Sequence, residues 1–113
     1  MVESPARRGP FTATHVAVIC HDGPDAAARR KAASPAHMQY VESILDRLLL
    51  AGPLYDDPGA TMIGSLYVFK TDSLPEARRL LEADPYYQAG FWKTVEFRPT
   101  LPAAGDCVGG RIW

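Results

Sequence analysis

From Thr12 the side chains alternate between two faces, a pattern of period two. Thr14, Val16, Val18 and Cys20 share one face, and Ala13, His15, Ala17 and Ile19 share the other. A period of two is typical of a β-strand. The pattern stops at Asp22-Gly23-Pro24, a sequence that favours a turn. Residues 1–10 show no periodicity, and we predict that they form a flexible amino-terminal arm.

A helical period follows Ser34-Pro35. Serine is a good N-cap, and proline suits the first helical position because it has no N–H to satisfy. Apolar residues then recur at steps of three and four, at Val41, Ile44, Leu45 and Leu48. Because Gly52 is a common kind of helix stop, the pattern predicts a helix of about four turns that ends near Ala51.

A β-hairpin is predicted next. Leu54 and Tyr55 form a short strand, and Asp56-Asp57-Pro58-Gly59 is a cluster of turn-forming residues. Residues Thr61 to Lys70 then alternate β-branched and aromatic side chains with others, as a returning strand does.

A second helix and a last strand complete the pattern. Ser73 and Glu76 have the spacing of a capping box. The helix is expected to end near Asp84, because the residue before Pro85 avoids helical geometry. Alternation from Phe91 to Pro99 predicts the final strand.

The resulting order, β-α-β-β-α-β, is that of a ferredoxin-like split βαβ fold of the α+β class, in which both helices cover one face of the sheet. We assign this domain to residues 11–99 and a carboxy-terminal tail to residues 100–113. The other face of the sheet carries apolar side chains and needs a cover. A face-to-face homodimer is the simplest way to supply it.

Charge and hydropathy exclude several classes of partner. The 12 Lys and Arg against 13 Asp and Glu give a net charge of −1, which leaves no basic excess for a nucleic acid. No apolar run approaches the roughly 20 residues that cross a bilayer, and we expect a cytoplasmic protein that does not bind membranes. The two cysteines, Cys20 and Cys107, lack the spacing of a metal or redox pair.

His37 is the histidine best placed for chemistry. As the third residue of the predicted helix, it shares the apolar face with Val41 and points toward the sheet. The positive end of the helix dipole and partial burial both disfavour its protonation, so we expect a neutral base near pH 7.

A carboxylate that accepts the imidazole N–H would fix the tautomer of His37 and stabilise the imidazolium formed during proton abstraction. Asp84 is the best candidate, because Pro85 holds it in an extended geometry. The alternatives are that His37 only caps or packs and that Asp84 only bonds its own turn. The sequence alone does not establish that the two residues meet.

Other candidate sites are weaker. His15, Cys20, His21 and His37 have no recognised metal spacing, so we predict no metal. Asp56 and Asp57 fit a surface turn better than a calcium loop. Gly64 interrupts a strand, which marks a bulge or a close backbone approach and leaves Ser65 as a pocket hydroxyl or an ordinary strand serine.

Several segments together resemble the YCII (YciI-like) family of small bacterial proteins over about residues 15–99. These are Asp22-Gly23-Pro24 with Arg30, Pro35-Ala36-His37-Met38 with Tyr40, Leu49-Leu50-Ala51-Gly52-Pro53, Gly64-Ser65, and Asp84-Pro85-Tyr86 with Ala89-Gly90. The chain departs from the pattern at Ser34, where many relatives have an arginine. We therefore expect no anion-holding side chain at this position, whereas Arg30 matches the pattern.

The resemblance implies a dimeric α+β barrel with a His-Asp pair, His37 and Asp84, in a cleft. One branch of the family eliminates hydrogen chloride from a chlorinated hydroxyhydroquinone, and the fold is similar to that of muconolactone isomerases. The implied function is therefore proton transfer on a small cyclic or aromatic substrate, without metal or organic cofactor, in an elimination (lyase) or isomerisation. We expect the substrate to be held by Ser65, Arg30, Gly64 and Tyr86. The rival interpretation is a non-catalytic module that binds a metabolite or a protein.

Overall fold

The structure, a computed structural model, describes residues 11–113, and the arm predicted at 1–10 lies outside the described residues. The main elements are β1 (His15–Asp22), α1 (Ala26–Ser43), β2 (Leu48–Tyr55), β3 (Met62–Phe69), α2 (Leu74–Glu82), α3 (Pro85–Ala89) and β4 (Trp92–Thr100). Two 3-10 turns, Leu45–Arg47 and Asp106–Val108, and two short strands, β5 (Ala104–Gly105) and β6 (Gly110–Arg111), complete the described chain.

The four long strands form one sheet in the order β2-β3-β1-β4. Every neighbouring pair is antiparallel, and Val18 at the centre of β1 lies opposite Tyr67 on β3 and Phe97 on β4. With its helices between β1 and β2 and between β3 and β4, this is the ferredoxin-like α+β arrangement. The predicted fold class is confirmed.

The core lies between one face of the sheet and the helices. Its fully buried side chains alternate along the central strands, and they are Val16, Val18 and Cys20 from β1, Tyr67 and Phe69 from β3, and Ala77 and Leu81 from α2. Alternation is the consequence of the pleat, which points successive side chains to opposite faces. The outer face therefore takes the intervening residues.

The predicted first helix was wrong at both ends. The helix begins at Ala26 and runs for 18 residues with Pro35 inside it. Residues 26–33 are mostly alanine, arginine and lysine, which favour a helix strongly enough to extend it upstream of the proline. Leu48 begins β2 rather than closing a helix, because pairing with β3 from Leu48 to Tyr55 outweighs the helical spacing of the leucines.

The second helix was predicted more closely. The Ser73 side chain accepts a 3.2 Å hydrogen bond from the backbone N–H of Glu76, one half of the predicted capping box. The helix ends at Glu82, and a short helix, α3, follows where we expected only a turn. Gly90 ends α3 with φ +71°, a left-handed conformation that favours glycine.

The chain after β4 forms a small hairpin. Strands β5 and β6 pair antiparallel, and Ile112 and Trp113 beyond them are exposed. Among residues 11–113, no helix is both long enough and apolar enough to span a bilayer.

Candidate active site

His37 and Asp84 are in contact. Nδ1 of His37 lies 2.8 Å from Oδ1 and 3.1 Å from Oδ2 of Asp84. The carboxylate only accepts, so the proton sits on Nδ1. A neutral imidazole then has its free lone pair on Nε2, the nitrogen that can take a proton from a substrate.

Asp84 is completely buried and accepts two further hydrogen bonds. The Tyr67 hydroxyl donates to Oδ2 at 2.7 Å, and the backbone N–H of Tyr86 donates to Oδ1 at 2.8 Å. A buried carboxylate is costly unless it is hydrogen-bonded. These three donors explain how a charged Asp84 is accommodated in the core and fix the carboxylate relative to His37.

The Tyr86 ring lies against the ring of His37. The two are parallel within 4°, with centroids 3.7 Å apart. The stack fixes the imidazole plane, while the Asp84 contact fixes its rotation. His37 on α1 is therefore held by the start of α3 in two ways.

Arg30 is buried, and Asp22 neutralises it. Its Nη2 lies 2.7 Å from Oδ1 of Asp22, and its Nε bonds Oδ2 at 3.2 Å. The same Nη2 also approaches the Gly64 carbonyl at 3.2 Å and the Ser65 hydroxyl at 3.3 Å. Arg30 thus connects α1 to β1 and β3, and most of its donors are used inside the protein.

A cavity of about 250 Å³ opens in front of these groups. It lies between α1 and the strands β2 and β3, and its polar lining includes Arg30, Ser34, His37, Ser65 and Tyr67. The apolar lining includes Met38, Val41, Pro53 and Met62. A dry cavity of about 150 Å³ is enough for benzene, so this one has room for a small substituted ring beside His37.

The structure brings the site residues suggested by the sequence to one place. Arg30, His37, Ser65 and Tyr86 line the cavity, and Asp84 lies directly behind His37. Gly64 contributes a backbone carbonyl to Arg30 rather than a cavity wall. A side chain there would collide with β1, because a Cβ would lie 2.1 Å from the Cys20 carbonyl oxygen.

One premise of the sequence argument fails. His37 lies in the middle of α1 rather than in its first turn, because the helix begins at Ala26. The helix dipole acts mainly on the terminal turns, so it does not act on His37 as expected. Asp84 orients His37 by a hydrogen bond, and Tyr86 packs against its ring.

Sequence reasoning missed Tyr67 and Asp22 as parts of the site. A signal for Tyr67 existed, because it shares a strand face with Ser65 and a buried tyrosine hydroxyl needs a partner. Burial, followed by the charge of Asp84, raises the pKa of Tyr67. The hydroxyl therefore keeps its proton and donates a hydrogen bond to Asp84.

The remaining candidates lie apart from the cavity. Among residues 11–113, no three or more His, Cys, Asp or Glu side chains group as a metal site. Asp56 accepts from the backbone N–H groups of Ala60 and Thr61 in the β2–β3 turn. These bonds lower the pKa of Asp56, as in an ordinary surface turn.

Fold and cavity together define the class: a ferredoxin-like α+β domain with a buried-carboxylate His-Asp pair facing a cavity between its first helix and its sheet. The YCII-related domain matches residues 14–100. The chain is 34% identical over 89 residues to "Protein YciI" of Escherichia coli O6:H1 and of Shigella flexneri, covering 73% of this chain and 91% of each relative. This chain belongs to the YCII family.

A solved structure has the same fold. It is 5-chloro-2-hydroxyhydroquinone dehydrochlorinase from Burkholderia phenoliruptrix AC1100, in complex with 2,5-dihydroxybenzoquinone. The TM-score is 0.71 at 22% sequence identity, and the match covers 81% of this chain and 96% of that one. At this identity the likeness establishes the fold, and the chemistry has to be argued from this chain's own residues.

Proposed function

We propose that this protein is a small enzyme that moves a proton on a cyclic, hydroxylated substrate, in an elimination or isomerisation that needs no cofactor. The observation that carries the proposal is the contact between His37 and Asp84 behind a cavity. Nε2 of His37 acts as the base, and Asp84 holds the tautomer and stabilises the imidazolium. This division of roles between an imidazole and a buried carboxylate is a general one in acid–base catalysis.

The other cavity residues have supporting roles in this proposal. Proton removal next to a ring oxygen builds negative charge on that oxygen, which donors must stabilise. Ser65 still has its hydroxyl proton, because its oxygen accepts from Arg30. Arg30 positions Ser65 through a 3.3 Å contact to its hydroxyl oxygen, and the face of Tyr86 keeps His37 in position. The dehydrochlorinase neighbour was solved with 2,5-dihydroxybenzoquinone, a ligand of the substrate class proposed here.

The proposal places the protein in the cytoplasm. It also includes a homodimer, for which the sheet gives the argument. The outer face of the sheet is apolar along its centre, where Ala17 and Ile19 lie opposite Val68 and Leu66, and Leu50 beside Val68 is exposed. A second copy laid face to face would cover these side chains.

Light scattering should give twice the mass of one chain, and Leu66→Glu should give a monomer, whereas Leu45→Glu on an exposed turn should remain a dimer. A monomeric wild type would contradict the dimer.

The enzyme proposal is tested by hydrogen exchange in D₂O, followed by NMR on a panel of catechols, hydroxyquinones and unsaturated lactones. We expect the wild type to exchange a ring or α-carbon proton of at least one compound. His37→Gln should abolish this exchange, whereas the matched change His21→Gln, at an exposed histidine on β1, should leave it intact. Exchange that survives His37→Gln would overturn the proposal, and binding of a compound without exchange would favour a non-catalytic binding protein.

A further inference from the structure

A second cavity adjoins the one that contains His37. It measures about 310 Å³, and it shares Arg30, Ser34, Met62 and Tyr86 with the first. Walls in common mean that the two cavities are chambers of one cleft. We call them the His37 chamber and the Lys31 chamber, because Lys31 lines only the second.

The cleft follows α1. Ala27, Arg30, Lys31, Ser34, His37, Met38 and Val41 all line it, and their spacing corresponds to one broad side of a helix. Lys31 and His37 are six residues apart, which is about 9 Å along the helix axis at 1.5 Å per residue. A molecule that spans both chambers therefore extends along about this length of the helix.

The charges in the Lys31 chamber favour an anion. Asp22 faces the chamber, but both of its oxygens accept hydrogen bonds from Arg30. The pair is buried, with each side chain 8% exposed, and its charges offset each other. Lys31 is exposed and lines the same chamber, so it adds a positively charged side chain to the lining. Ser34, between the chambers, adds a small hydroxyl donor.

We propose that the Lys31 chamber is a subsite for a carboxylate, so that the substrate is a hydroxylated ring carrying an acidic side chain of two or three carbons. The inference rests on the proposed function, because it takes the ring to lie beside His37. In this arrangement, Lys31 determines specificity by holding the acid group, while His37 faces the ring. The short Ser34 side chain leaves room for the connecting carbons.

The test uses a pair of ligands of the same shape, 3-(3,4-dihydroxyphenyl)propionate and its uncharged amide. Their dissociation constants are measured by calorimetry on the full chain at low and at high salt. We expect the wild type to bind the acid about fivefold more tightly than the amide, which is the scale of an exposed ion pair. Because the contact is solvent-accessible, the preference should shrink as salt is raised.

Variants separate a local contact from an effect of net charge. Lys31→Met should remove the preference for the acid, and Lys31→Arg should keep it. Lys70→Met makes the same charge change at an exposed lysine after β3 and should leave the preference intact. Equal binding of acid and amide, a preference that survives Lys31→Met, equal losses in the two methionine variants, or binding of neither compound would each overturn the subsite. None of these outcomes bears on the exchange test of His37, which judges the proposed function separately.

Discussion

The Tyr67 hydroxyl donates a 2.7 Å hydrogen bond to Asp84, and both side chains are buried. The bond joins the central strand β3, which carries Tyr67, to Asp84, the N-cap residue of α3. Each oxygen of Asp84 thus has one donor besides His37, Tyr67 on Oδ2 and the backbone N–H of Tyr86 on Oδ1. The candidate dyad is therefore one part of a larger network that the core completes.

Tyr67→Phe should weaken the fold without changing the tyrosine titration of the folded protein. Loss of one donor to a buried carboxylate is expected to lower the free energy of unfolding by about 1–3 kcal/mol, measured by urea denaturation. Burial and Asp84 raise the pKa of Tyr67, so Tyr67 does not ionise at about pH 10, where an unperturbed tyrosine does. The 295 nm titration amplitude of the folded variant should equal that of the wild type, and a smaller amplitude would contradict the expected burial.

Asp84→Asn should cost more stability than His37→Gln. An asparagine keeps one acceptor oxygen and places an NH₂ group among the three donors that now face Asp84. We expect a loss of about 3 kcal/mol in the free energy of unfolding, of the size seen when one member of a buried charged network is removed. His37→Gln leaves Asp84 with two donors, and its loss should be nearer 1 kcal/mol. Equal shifts in the urea midpoint would show that the network does not stabilise the fold as inferred.

Cys20 should make stability fall at alkaline pH. Burial first, and then the charge of Asp84, raises the pKa of this thiol from 9.0 to about 12. Between these values the unfolded chain releases the thiol proton while the folded chain retains it, so stability falls as pH rises. The slope approaches roughly 1.4 kcal/mol per pH unit for one group. Urea midpoints from pH 8 to 11 should show a shallower decline in Cys20→Ala, while Cys107→Ala, at an exposed cysteine, should match the wild type.

Gly64→Ala should be far more damaging than Gly52→Ala. An added Cβ at Gly64 would lie 2.1 Å from the Cys20 carbonyl oxygen, which belongs to the neighbouring strand backbone. The strands must move apart, and we expect a loss of about 3 kcal/mol or more in the free energy of unfolding. A Cβ at Gly52 meets nothing within 4 Å, so its alanine variant should change stability by less than about 1 kcal/mol. Similar melting temperatures for both variants would contradict the close approach.

The elements that depend on local signals were predictable from the sequence. The alternation in β1 and the capping residues Ser73 and Glu76 are signals contained in a few consecutive residues. The extent of α1 was not predictable in this way, because Ser34-Pro35 is a good local start for a helix. An alanine-rich segment upstream and the pairing of Leu48 onward with β3 outweighed that signal.

The site was only partly predictable for a related reason. His37 and Asp84 are 47 residues apart, and a motif can suggest both without showing that they touch. Tyr67 belongs to none of the recognised segments, and Asp22 was predicted only as part of a turn. Their contacts follow from the register of β3 against β1 and from the position of α1 above the sheet. Such roles are set by tertiary packing, which a linear pattern does not contain.

The helix α3 is too short to be stable by itself. A helix of five residues does not persist by itself in water, so it exists only while docked, and its first residues supply both the face that contacts His37 and the amide that contacts Asp84. Undocking of this single turn would remove the ring that stacks on His37 and the amide that binds Asp84 in the same event. The geometry of the His37–Asp84 pair is therefore coupled to the docking of one short segment of the chain.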